Sequence, residues 1–173
     1  MRYVTPGKNR RMRDMRTLRL VMHARTRQPM LLLGEREGDR CVPVFLRGPQ
    51  ATVIAEGQRH EGDPMLPMDV LVPVVTGLGH TLDAVEFTAL TDGVFVAVLV
   101  FDGDTRIEVL ASDALAVAVR EGLPIRMAEQ ILDEVGQPIS ELFPEGAQAP
   151  PEKQIDAFRE FLDDVTPDDF RKP

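Results

Sequence analysis

Apolar and polar positions alternate through the first third of the chain. Leu18, Leu20 and Met22 are separated by polar residues, Arg27-Gln28-Pro29 interrupts the run, and Met30 to Leu33 resumes it, so residues 17–37 predict a β-hairpin. Gly38-Asp39 turns the chain into a third strand over 41–46, which Gly48-Pro49 ends. The period then changes. Ala51, Ile54 and Ala55 fall on one side of a short helix over 50–57, and a polar loop over 58–63 leads to an apolar helix from 67 or 68 to 78, with Asp69 near its start. Pro73 must lie in the first turns of that helix or kink it.

A second run of strands follows over 82–88, 93–101 and 105–109, divided by Asp92-Gly93 and by Asp102-Gly103-Asp104. Asp-Gly pairs are strong hairpin signals because both residues tolerate positive φ. From Glu108 the chain reads E-V-L-A-S-D-A-L-A-V-A-V-R-E-G-L-P, a strand that stops at a polar pair and opens a helix with no polar face over 114–119. Ser112 is expected as the N-cap, Asp113 in the positively polarised first turn, and Gly122 then Pro124 as the stop. A helix apolar all round must be covered on most sides, so Ser112 and Asp113 lie either at a buried cap or at the floor of a pocket. A short extended segment over 124–126 and a helix over 128–135 complete this part.

Strands, helices, strands and helices in that order predict an α+β domain with a mixed or antiparallel sheet built from two strand groups packed with helices. The domain is expected over 16–137, after a basic N-terminal arm over 1–15 and before a linker over 138–151 rich in Pro, Gly and Ala. An acidic helical tail is expected over 152–173, where Ile155, Phe158, Leu162 and Val165 mark one face. Such a stripe docks on its own domain or on a sister subunit.

Composition narrows the function classes. The chain has 173 residues, 43% of them hydrophobic, enough for one domain with a real core. A single cysteine, no apolar run long enough to span a bilayer and no charged-then-apolar leader imply a cytoplasmic, reduced protein that does not enter membranes. Cys41, leading into a strand, reads as a small packed residue. The formal net charge of −8 argues against a body that clings to nucleic acid non-specifically, because such binding rests on neutralising phosphates. The positive charge is gathered at the start, at Arg2, Lys8, Arg10, Arg11, Arg13, Arg16 and Arg19. That gathering fits a nucleic-acid arm, ends that meet in an oligomer, or a loose tail ahead of a strand starting near Met15.

Several chemistries are excluded by their missing motifs: the chain has no G-x-x-x-x-G-K-S/T phosphate loop, no H-E-x-x-H, no C-x-x-C pair and no G-x-S-x-G elbow. Four other segments carry a resemblance. Pro43-Val44-Phe45-Leu46-Arg47-Gly48-Pro49-Gln50-Ala51 with Ile54-Ala55 is similar to a P-I-W-I-G-x-x-E-A-x-x-I-A block. Leu90-Thr91-Asp92-Gly93-Val94-Phe95-Val96-Ala97 is similar to D-L-x-D-G-x-F-Y-A, Ser112-Asp113-Ala114 to an S-D-A segment, and Leu123-Pro124-Ile125 to Leu132 to P-I-x-x-x-E-x-x-L. Together, in order and spacing from about Leu18 to about Val135, they resemble the bifunctional nuclease family, whose members act on both RNA and DNA.

The resemblance implies metal-dependent hydrolysis of nucleic-acid phosphodiesters by a homodimer or other homo-oligomer. Mg²⁺ or Mn²⁺ would be held by Asp69 and Asp113, which match the family's acidic positions in T-H-D-L and R-P-S-D-A. Ser112 would hold substrate. Arg47, at the family's Gly position, would add positive charge. The pattern is also broken in four places: Met68 replaces the family's His, Leu110 its Arg, Val96 its Tyr and Gln50 its Glu. Each loss is to a neutral residue. His60, His23 and His80 read as structural or exposed, with His60 the one candidate substitute. A catalytically silent, homo-oligomeric ligand-binding or regulatory module on the same fold is therefore the competing expectation.

Overall fold

A computed structural model of the chain describes residues 10–142. The expected acidic tail and most of the expected linker and basic arm lie outside these residues. Eight strands form one mixed sheet. In chain order they are β1 (Met12–Met22), β2 (Pro29–Glu35), β3 (Arg40–Phe45), β4 (Leu82–Thr91), β5 (Val94–Phe101), β6 (Thr105–Leu110), β7 (Ile125–Ala128) and β8 (Gln137–Pro138). The helices are α1 (Gly48–Glu56), α2 (Leu71–Gly77), α3 (Ala111–Glu121), α4 (Glu129–Val135) and α5 (Ile139–Leu142), with a 3₁₀ turn at Pro67–Val70 before α2. The α+β architecture is the expected one.

The two strand groups meet through β7. The spatial order is β6-β5-β4-β7-β1-β2-β3-β8, and β7 pairs parallel to β4 on one side and antiparallel to β1 on the other. Since β6 runs the same way as β4, the β6-α3-β7 segment is a parallel crossover, with α3 laid across the sheet. This is why the apolar run over 114–119 needs no polar face. Ala114, Leu115, Ala116 and Ala118 are all buried, between the sheet and α1. The same core takes Phe87, Val85, Leu99 and Met127 from the strands and Ala51, Ile54 and Ala55 from α1. A smaller cluster, Ala84, Val98 and Val100, sits apart from it on the β4–β5 pair.

Local signals explain most boundaries. Asp92 and Gly93 both take positive φ (50° and 76°), as do Asp102 and Gly103, so both Asp-Gly turns form as expected. Gly122, at φ 66°, ends α3, and the Leu123 amide reaches back to the Ala118 carbonyl at 2.8 Å, closing a Schellman motif. Pro43 is accommodated because β8 covers β3 only at Arg40 and Cys41, leaving the rest of β3 as an edge. Cys41 is buried, and burial pushes its thiol pKa up.

Three boundaries differ from expectation. β1 begins at Met12 rather than near Met15, because Met12 to Met15 pair with Ala128 to Ile125 of β7. The helix expected over 67–78 is broken into the 3₁₀ turn and α2, with Pro73 in the first turn of α2, where its missing N–H costs nothing. Ser112 is not the N-cap of α3. β6 runs into the helix without a loop, Leu110 is the cap residue with no side-chain hydrogen bond, and Ser112 is the second helical residue, 6% exposed.

Candidate functional site

The loop between α1 and α2 folds over α1 and α3 and leaves a groove of about 620 Å³. Its walls are Pro49, Gln50 and Val53 of α1, Leu66 to Met68, Val70, Leu71 and Val74 of the next segment, and Asp113 and Val117 of α3. The walls are almost wholly apolar. Asp113 stands at the start of α3, 38% exposed at its side chain, as the one charged residue of the groove.

Asp113 has two donors on the same oxygen. Arg47 Nη2 reaches Asp113 Oδ1 at 2.9 Å, and Gln50 Nε2 reaches it at 2.6 Å. Arg47 precedes α1 and is 55% exposed, so this corner is a partly solvated guanidinium–carboxylate pair. Gln50 Oε1 is buried and without a hydrogen-bond partner among the described residues. A lone buried acceptor next to a carboxylate is uncommon in folded proteins and marks a place where a donor or cation belongs.

Asp69 faces the other way. The 3₁₀ turn presents Met68 and Val70 to the groove and turns Asp69 inward, where it is 0% exposed. There Arg120 Nε meets Asp69 Oδ1 at 3.0 Å, Arg120 Nη2 meets Oδ2 at 3.1 Å, and the Leu66 amide donates to Oδ2 at 2.8 Å. Arg120, 4% exposed, also donates from Nη2 to the Pro64 carbonyl at 3.1 Å, tying α3 to the loop. The Arg120 hydrogen bond holds the Asp69 carboxyl below its ordinary value against the opposing pull of burial, and the Asp69 carboxylate raises Arg120 in turn. A second buried acid, Glu35 at the end of β2, is lowered chiefly by Arg40 and also bonds Arg13.

Of the residues singled out from the sequence, Arg47 and Asp113 therefore meet, while Asp69 and Asp113 share no hydrogen-bond partner and Ser112 is turned into the packing of α3. None of the three histidines lines the groove: His60 is exposed, His23 bonds Thr26, and His80 pairs with Asp102 at 2.7 Å. Two participants were hidden in the sequence. Gln50 looked only like a lost Glu. Arg120 looked like the first polar residue after an apolar helix, yet that was its signal: an arginine ending a helix buried on all sides must find a buried acid.

Comparison with known proteins settles the family. The family model for the bifunctional nuclease domain matches residues 31–140. The chain belongs to the bifunctional nuclease family. Among its relatives are two uncharacterized proteins of Mycobacterium tuberculosis, Rv1829 of strain H37Rv and MT1877 of strain CDC 1551. Each is 36% identical over 162 residues, which cover 92% of this chain and 99% of the relative. Within this member of the bifunctional nuclease family, the matched span takes in the groove, both aspartates and both arginines that hold them. No helix among the described residues is long and apolar enough to cross a membrane.

Proposed function

We propose that this bifunctional nuclease family member hydrolyses RNA or DNA phosphodiesters at the Arg47–Gln50–Asp113 corner, and that Asp69 serves the fold. The observation that carries this reading is the half-exposed Asp113 at the groove rim with a guanidinium beside it. Arg47 stands in for the family arginine replaced by Leu110, and by swinging from carboxylate to phosphate it would bind substrate as a bidentate donor.

The donor set at this corner suits a divalent cation. Asp113 and the unpartnered Gln50 Oε1 are hard oxygens of the kind Mg²⁺ and Mn²⁺ take, and they would hold the ion. Asp69 does not fit, since both its oxygens already accept from Arg120 and Leu66. When bound, the ion would supply Lewis-acid polarisation of a phosphoryl oxygen. Gln50 orients Asp113 through its amide hydrogen bond.

The test is cleavage of single-stranded RNA and DNA with Mg²⁺, Mn²⁺ or EDTA by wild type, Asp113→Asn and Arg47→Ala. Metal-dependent cutting abolished in Asp113→Asn and weakened in Arg47→Ala is the expected result. Cutting that survives in Asp113→Asn places the reaction elsewhere. Asp69 is left intact in this assay, because its loss would confound chemistry with folding.

A second reading, a catalytically silent homo-oligomeric module on the same fold, is favoured by Asp69 being locked to Arg120 and by exposed Val70 and Val74 beside the groove. Its signature is a wild type that cuts neither substrate with any metal, together with a stable dimer by light scattering that Val74→Asp dissociates.

A further inference from the structure

We propose a second binding site, separate from the Asp113 groove, for a small amphipathic anion: an apolar body carrying a carboxylate or phosphate head. α1 stops at Glu56 and α3 at Glu121, and beyond their ends β1 is left partly uncovered. The opening is a cavity of about 420 Å³, within the range of small-molecule sites. Its floor is apolar, with Leu20, Leu31, Ile54, Val119 and Leu123 among the lining residues.

Every charged residue that lines it is an arginine: Arg16, Arg19 and Arg36. That is a strong local bias in a chain whose formal net charge is −8. Arg16 and Arg36 are exposed and make no side-chain hydrogen bond or ion pair among the described residues, although acidic residues outnumber basic ones 28 to 20 along the chain. Thr17 pairs with Leu33 and Arg19 with Leu32, so Leu18 is an extra residue, and this β-bulge changes which side chains face the helices. Met15 is buried before it, whereas Leu20 and Met22 pack on the core after it. β7 covers β1 only from Met12 to Met15, so beyond it the edge of β1 is open, and the consecutive residues from Met15 to Leu20 all border one cavity.

Arg16 and Arg36, without a partner among the described residues and bordering the same cavity as an apolar floor, select a ligand with both characters. A neutral apolar molecule would leave the guanidiniums unused, and a simple anion would leave the floor wet. A nucleic-acid strand would meet the arginines but has no apolar body to seat.

The experiment is isothermal titration calorimetry of the full chain with decyl phosphate, decanoate, decanol, inorganic phosphate and an oligothymidylate. Decyl phosphate or decanoate should bind one per chain, and the two together distinguish a phosphate from a carboxylate head. Affinity should fall about tenfold or more in Arg16→Gln/Arg36→Gln, each lost charge-assisted contact contributing. Val74→Asp, in the other groove, should leave it unchanged. The proposal is overturned if neither amphiphile binds, if the arginine variant binds as well as wild type, or if decanol or inorganic phosphate alone matches the amphiphiles. Arginine-dependent binding of the oligothymidylate without the amphiphiles would overturn it in favour of a nucleic-acid surface. Both arginines are exposed, and circular dichroism should show the variant folded. The result does not depend on whether the Asp113 corner cleaves anything.

Discussion

Asp69 and Arg120 meet with side chains 0% and 4% exposed, whereas Asp113 and Arg47 meet at 38% and 55% exposure. Both aspartates occupy acidic positions of the same family pattern, and both pairs join the segments around one groove. Their surroundings differ. In the interior each ion has lost its water, so the pair must supply every contact, and Asp69 accordingly takes a forked guanidinium plus a backbone amide. At the rim water still competes for both charges, so Arg47 and Asp113 can part without leaving a buried ion, which is what a group meant to meet a ligand requires.

The comparison breaks most visibly when one partner of each pair is removed. Asp69→Ala should cost about 3–5 kcal/mol, since it leaves Arg120 charged and unpaired in the interior. Asp113→Ala should cost less than about 1 kcal/mol. Urea unfolding of both variants measures the difference, and similar midpoints would mean that the interior pair is not as dry as its exposure indicates. The larger loss also predicts that the loop over 57–66 loosens in Asp69→Ala, because Arg120 holds the Pro64 carbonyl; faster amide hydrogen exchange across that loop reports it.

Acid tests the interior pair in a second way. Asp69 has a folded-state pKa below its ordinary value of 3.8, so its contribution is fully present above that value and is lost as pH falls through the lower folded one. Stability should therefore drop below about pH 4. Glu35, also lowered, through Arg40, adds to the same acid limb. In Asp69→Asn the limb should be shallower than in wild type, and in Glu35→Gln it should be shallower by an independent amount. Urea midpoints between pH 2 and 7 provide the check.

The sequence carried most of the fold because its signals are local. Alternation over 17–37, two Asp-Gly turns and the Gly122-Pro124 stop each depend on backbone preferences of a few residues, and each appears where expected. What it could not carry was partnership across distance. Asp69 and Arg120 lie 51 positions apart and Asp113 lies 66 from Arg47, and nothing in local spacing says which carboxylate will be turned inward. That choice was made by the 3₁₀ turn, which points Met68 outward and Asp69 in. The early start of β1 was illegible for a similar reason: Met12 to Met15 are strand because β7 lies alongside, not because their own pattern alternates.

The smallest effect sharpens the comparison most. A double-mutant cycle of Arg47→Ala and Asp113→Ala should return a coupling energy of about 0.2–1 kcal/mol, falling as salt is raised, because the pair is partly solvated and screened. The same cycle read on ligand or substrate affinity should behave differently. If Arg47 leaves Asp113 to hold an anion, Asp113→Ala frees that guanidinium and tightens anion binding, while Arg47→Ala weakens it. Opposite signs in binding, beside a small and salt-sensitive coupling in stability, would identify a pair built to open. Equal and parallel losses in both readouts would instead make Arg47–Asp113 a second structural pair, differing from Asp69–Arg120 only in depth.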